Sequence, residues 1–140
     1  GCDPNATEYK KILTPFVEKW DMKLLISEVM IRFMQTLQLL ATSVAAGECD
    51  RGILICGTGI GVSIAANKVP GAYAALVNNV YQAQRAQLSN NANIITLGAQ
   101  VTGIELAKCL VKEYLSVTFD PESRSMPKVA RITEYEKEGK

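Results

Sequence analysis

GILIC GTGIG VSIAANK, residues 52–68, is a short run of β-formers ending at a cysteine, then a loop with three glycines in five residues, then a helix-forming segment. That order reads as a strand, a tight turn and a helix N-terminus. Glycines at 57, 59 and 61 open backbone conformations closed to other residues and let a ligand approach the main chain. The amides and positive dipole end of the following helix favour an anion. Cys56 stands at the edge of that field, where a thiolate, a nucleophile or base, is favoured over the inert thiol. Taken alone, the turn is as consistent with a purely structural role, and Cys56 with a small buried hydrophobe. GTGIG lacks the full GxGxxG spacing of a dinucleotide site, and the GK[ST] ending of a P-loop is missing.

The words around the loop carry more. DRGILICGTGIGVSIAANKVPG, then AALV, then NNANIITLGAQVTG and ELAK resemble the family of ribose-5-phosphate isomerase type B and galactose-6-phosphate isomerase. The resemblance runs nearly continuously from Ala45 to about Arg131, with an island at GCDPNA near the start. It implies an α/β fold, a Rossmann-like three-layer sandwich around a parallel sheet. It also implies interconversion of aldose and ketose phosphates, through a cis-enediolate, with no cofactor and no metal. By that resemblance Cys56 takes the proton from the substrate carbon, Thr58 helps position a hydroxyl, and the amides of Gly57, Gly59, Ile60 and Gly61 hold the enediolate oxygen. Asp3 and Asn90 are then substrate-binding residues. Arg124 and Lys128 stand where two family arginines four apart grip the phosphate.

Each of these has a plainer reading. Asp3 could cap the helical stretch from Thr7 to Glu18, and Asn90 could cap a loop. Without the resemblance, Arg124 and Lys128 are solvated surface charges. Lysine at 128 keeps the charge but loses the bidentate fork.

The chain also departs from the family. It has no histidine. Ser89 stands where the ribose-phosphate enzymes carry the histidine that opens the furanose ring, Pro4 follows Asp3 where a histidine is frequent, and Gln100 replaces the arginine of the LGAR-like turn. A serine hydroxyl does not exchange protons near neutral pH as imidazole does. Ring opening should be slow, so the expected preference is for substrates that are already open, such as four-carbon sugar phosphates. These departures also keep a second reading in view, a non-catalytic sugar-phosphate-binding or partner subunit of a hetero-oligomeric isomerase.

The 140 residues, 48% hydrophobic, suit one domain spanning residues 1–140 with a proper core. Fifteen basic against fourteen acidic residues leave no footprint of nucleic acid or membrane. Cys2, Cys49, Cys56 and Cys109 show no paired metal spacing, and reduced thiols in a cytoplasmic setting are expected. The partners expected are a small sugar phosphate and, because family sites lie between two chains, further copies in a homodimer or larger homo-oligomer.

Two stretches are atypical. The chain opens at GCDPNA, where the family has a short apolar strand, so the expectation is a first strand that is truncated in this sequence. Residues 21–40, DMKLLISEVMIRFMQTLQLL, occupy the place of a second strand and an active-site loop but read as a helix, with Leu25, Val29, Phe33 and Leu37 four apart. Back-translated, the neighbouring reading frame can spell GYEVTDFGSDDPIYANTAIA, which restores a strand, a loop and a helix start. The favoured hypothesis is a compensated frameshift in the gene or its reading. From Ala41 onward, strands at 52–56, 72–76 and 93–97 alternate with helices at 62–68, 79–88, 103–116 and from about Pro127. On the helix at 103–116, Leu106, Cys109, Leu110 and Tyr114 should form the core face.

Overall fold

The computed structural model describes residues 7–19 and 33–139. Among them, six helices and three strands follow in the order α1 (Thr7–Glu18), α2 (Phe33–Ala45), β1 (Gly52–Cys56), α3 (Ile60–Ala66), β2 (Ala74–Leu76), α4 (Val80–Asn90), β3 (Ile94–Gly98), α5 (Ile104–Leu115) and α6 (Met126–Glu138). The first-strand truncation and the frameshift reading of residues 21–32 lie outside the described residues. Both readings of residues 33–40 begin a helix, so α2 agrees with either.

All pairings are parallel, and the strand order is β1-β3-β2. The chain therefore leaves β1, passes β3's position to lay down β2, and returns through α4 to fill the middle. Strands buried on both faces carry near-continuous apolar runs, which GILIC and, apart from Thr96, IITLG supply. Alternation along the strands sorts them into two cores. Leu54, Cys56 and Ile94 pack with Leu40, Ala41 and Val44 of α2 and with Val62 and Ala66 of α3. Ile55, Ile95 and Leu97 pack on the opposite face with Leu13 and Val17 of α1, Ala83 and Ala86 of α4, and Leu110 and Tyr114 of α5. Helices on both faces of a parallel sheet give the expected three-layer, Rossmann-like α/β sandwich.

Two elements differ from expectation. β2 is three residues long, not five, because side-chain amides take over at its start. Asn93 Oδ1 accepts from Tyr73 N at 2.8 Å, and Asn67 brackets Ala74, accepting from its amide at 2.9 Å and donating to its carbonyl at 2.8 Å. On α5 the buried face is Ala107, Leu110, Val111 and Tyr114, whereas Leu106 is 41% exposed and Cys109 half-buried. α5 packs against both α1 and α4, and the small Ala107 belongs to the core between them. Periodicity alone does not choose between two adjacent faces of comparable hydrophobicity.

Candidate active site

Parallel strands end together, and ligands in such sheets bind beyond the carboxyl ends. Here that edge is formed by Cys56 of β1, Leu76 of β2 and Gly98 of β3. Cys56 is 7% exposed, and the Gly59 amide donates to its Sγ at 3.0 Å. Gly59 can turn back in this way because its φ is +79°, the left-handed region open to glycine.

The loop is seated on β3. A Cβ on Gly98 would lie 2.7 Å from the carbonyl carbon and oxygen of Thr58, so the missing side chain there is what lets the loop come down. The β1–β3 ladder continues past the strands, with Ala99 N donating to Cys56 O at 2.8 Å and Gln100 N to Gly57 O at 2.9 Å. Gln100 then lays its carboxamide against Gly57, its Oε1 3.4 Å from where a Cβ would stand. Gly98 as a support and Gln100 as a neighbour of Gly57 are long-range facts. The only sequence trace of the first is a glycine at the end of a strand.

The expected loop donors divide into two groups. The Gly59 amide is engaged by Cys56, and the Ile60 amide by Thr58 Oγ1 at 3.3 Å. α3 begins at Ile60, so Gly61 lies in its first turn, where amides have no intrahelical acceptor. Thr58 is exposed, and its hydroxyl oxygen accepts from the Ile60 amide.

Asn90, Arg124 and Lys128 are not brought to this edge. Asn90 is the last residue of α4, and α4 ends at the amino end of β3. The carboxyl edge lies roughly 13 Å away along that strand at about 3.3 Å per residue. Asn90 Nδ2 donates to Arg85 O at 2.9 Å, Asn91 is the C-cap at φ 48°, and Asn93 pins the start of β2. Ser89 shares this end. Arg124 and Lys128 are exposed, in a segment whose two ends are tied to the same side of the sheet. Phe119 N donates to Gln87 Oε1 at 3.0 Å, and Gly71 N to Glu136 Oε1 at 2.8 Å. Asp3 lies outside the described residues. One chain thus separates the expected residues into a chemical end, with Cys56 and its loop, and a polar, cationic end.

The chemical end is also apolar at its rim. Ile60 and Ile64 of α3, Val80 and Tyr81 of α4, and Val101 and Leu106 around the start of α5 are exposed. No helix among the described residues is long and apolar enough to cross a membrane.

A family model described as Ribose/Galactose Isomerase matches residues 1–132. D-erythrulose-4-phosphate isomerase 2 of Mycolicibacterium smegmatis is 55% identical over 96 residues, covering 69% of this chain and 63% of that protein. Ribose-5-phosphate isomerase B of Escherichia coli is 44% identical over 96 residues, covering 69% of this chain and 64% of that protein. These matches span just under two thirds of the curated relatives' length. Among solved structures, ribose-5-phosphate isomerase B of Clostridium thermocellum superposes with a TM-score of 0.91 at 35% identity, covering 99% of this chain and 97% of that one.

Proposed function

The chain belongs to the ribose/galactose isomerase family, and from that premise we propose that it interconverts an aldose phosphate and its ketose with Cys56 as the base. The observation that carries this reading is the Gly59 amide on Cys56 Sγ at 3.0 Å, in a loop seated on Gly98. Cys56 thiolate removes the proton from the carbon beside the carbonyl, and the C–H electron pair becomes the C=C of an enediolate. Amides of Gly57, Thr58 and Gly61 meet the oxyanion, since those of Gly59 and Ile60 already have acceptors within the loop. The hydroxyl proton passes from one oxygen of the enediolate to the other, and the sulfur returns the carbon proton to the neighbouring carbon, leaving the carbonyl moved by one position.

The substrate we propose is a four-carbon sugar phosphate. A tetrose phosphorylated on its terminal hydroxyl cannot close to a furanose and needs no ring-opening acid, which suits a chain with Ser89 in the histidine's place and no histidine elsewhere in its 140 residues. The name of the M. smegmatis relative points the same way.

The active unit we propose is a homodimer or larger homo-oligomer. Asn90, Arg124 and Lys128 of one copy would meet Cys56 of another, because within one chain they lie at opposite ends of the sheet. The exposed apolar rim around the Cys56 loop is the surface a second copy would cover.

Turnover of a four-carbon ketose phosphate by the purified chain, beside a Cys56→Ala variant, tests the reading. General-base catalysis contributes about 10²–10⁴-fold, and Cys56→Ala should lose that much. Turnover that survives the substitution would sink the mechanism. Binding without turnover in the wild type would favour a non-catalytic partner subunit.

A further inference from the structure

Thr96, in the middle of β3, is wholly buried, and its hydroxyl has no hydrogen-bond partner. Buried polar groups are almost always satisfied, and an unmet one weakens the fold. Its strand neighbours Ile94, Ile95 and Leu97 are apolar, and valine would fill the same shape with nothing left unmet. Packing alone therefore gives no reason for a hydroxyl at this position.

Its location supplies one. Alternation puts Thr96 on the sheet face of Ile94, the face on which Cys56 packs. Cys56 is in register with Gly98, which has no side chain, and Leu54 with Thr96. On that face Thr96 is thus the β3 side chain nearest in register to Cys56. Above it, the Thr58–Gly59 loop closes the space, with Thr58 backbone against Gly98 and Gly59 against the carbonyl carbon of Leu97. Val62 and Leu54, both 1% exposed, belong to the same buried cluster as Cys56 and keep solvent from this face.

We propose that Thr96 is a positioning residue for Cys56, its hydroxyl donating to the sulfur through one trapped water when the sulfur carries negative charge. A hydroxyl proton rotates to suit its acceptor. Thr96 Oγ1 has no hydrogen-bond partner within the protein; when the thiol proton is gone, the bridging water brings its donor to the sulfur beside the Gly59 amide. As the substrate's carbon proton arrives on sulfur, the charge disappears and the hydroxyl is released. The inference rests on Cys56 being the reacting group and leaves open which sugar it acts on.

Thr96→Val and Thr96→Ser test it. Thr96→Val should melt at the same temperature as wild type or higher, yet react more slowly at Cys56. Alkylation by iodoacetamide, read on the Cys56 peptide by mass spectrometry, should slow by roughly tenfold, the scale of one hydrogen bond to a charged group. Where the chain turns over a sugar phosphate, kcat should fall with KM unchanged. Thr96→Ser should restore both rates. Wild-type alkylation in folded Thr96→Val would overturn the proposal, as would a lower melting temperature with alkylation unchanged. Since alkylation needs no substrate, slowed alkylation together with turnover that survives Cys56→Ala would leave this inference standing and remove the proposed mechanism.

Discussion

Gly59 donates its amide to Cys56 Sγ at 3.0 Å while its α-carbon rests so close to β3 that an added Cβ would lie 2.9 Å from the carbonyl carbon of Leu97. One residue holds the sulfur and seats the loop, and only glycine meets both demands at φ +79°. Gly59→Ala should destabilise the fold by about 2 kcal/mol or more, roughly 1–2 from the left-handed backbone alone and the rest from the contacts with Leu97 and Leu76. Urea unfolding measures this, and wild-type stability would mean that the loop can move away from β3.

The separation of Cys56 from Arg124 gives a test of sharing between copies. At substrate concentrations well below saturation, Cys56→Ala and Arg124→Ala chains should each be strongly impaired, yet refolding them together should restore activity. In a twofold dimer, random pairing makes half the dimers mixed, and each mixed dimer carries one site with both residues intact. Recovery should therefore approach about a quarter of wild type. No recovery would place both residues in the same chain's site or leave Arg124 outside it.

If Arg124 holds the phosphate, Arg124→Ala should weaken phosphorylated ligands by about 2 kcal/mol, the scale of a charge-assisted hydrogen bond. Folding should be nearly unaffected, because Arg124 is exposed. Calorimetry with a sugar phosphate and the matching unphosphorylated sugar separates the cases. Equal losses for both would show that the anchor lies elsewhere.

Ser89→His tests the ring-opening argument. The wild type should favour a four-carbon ketose phosphate over ribose 5-phosphate, and the variant should gain on the cyclising sugar alone. A wild type that already prefers ribose 5-phosphate, together with a silent Ser89→His, would show the argument to be wrong.

Tyr114 connects the two sides of the larger core and gives a stability prediction with a pH sign. Its buried hydroxyl donates to Ala92 O at 2.9 Å, an oxygen that Gln87 Nε2 also reaches at 2.8 Å. Tyr114→Phe leaves that carbonyl one donor, so the loss should be only about 1 kcal/mol. Burial pushes the phenol well above its ordinary value. Above pH of about 10 the unfolded chain therefore releases a proton that the folded chain keeps, and stability falls as pH rises. Tyr114→Phe should remove that part of the alkaline loss, which urea melts at neutral and alkaline pH would detect.

How much of this was legible in the chain divides along the range of the interactions. β1, the glycine loop and the start of α3 follow from neighbouring residues: an apolar run, glycines that admit positive φ, and helix formers after them. The two-sided burial of β1 and β3 is written in GILIC and IITLG, since strands without alternation must be covered on both faces. The family could be recognised from the same words, because they are the ones around the chemistry.

Position in space was not legible. Asn90, Arg124 and Lys128 look like one site with Cys56 when matched along the chain, yet the order β1-β3-β2 and the direction of α4 put Asn90 at the opposite end of the sheet, and the ties of Phe119 and Glu136 hold the tail on that side. The buried face of α5 likewise depended on where α1 and α4 came to rest. Most telling is Thr96, an ordinary β-former by composition, whose unmet hydroxyl and place beside Cys56's register partner exist only once β3 lies between β1 and β2. Local patterning determined which elements form, because it acts between residues a few positions apart; the packing of distant segments decided which side chains meet.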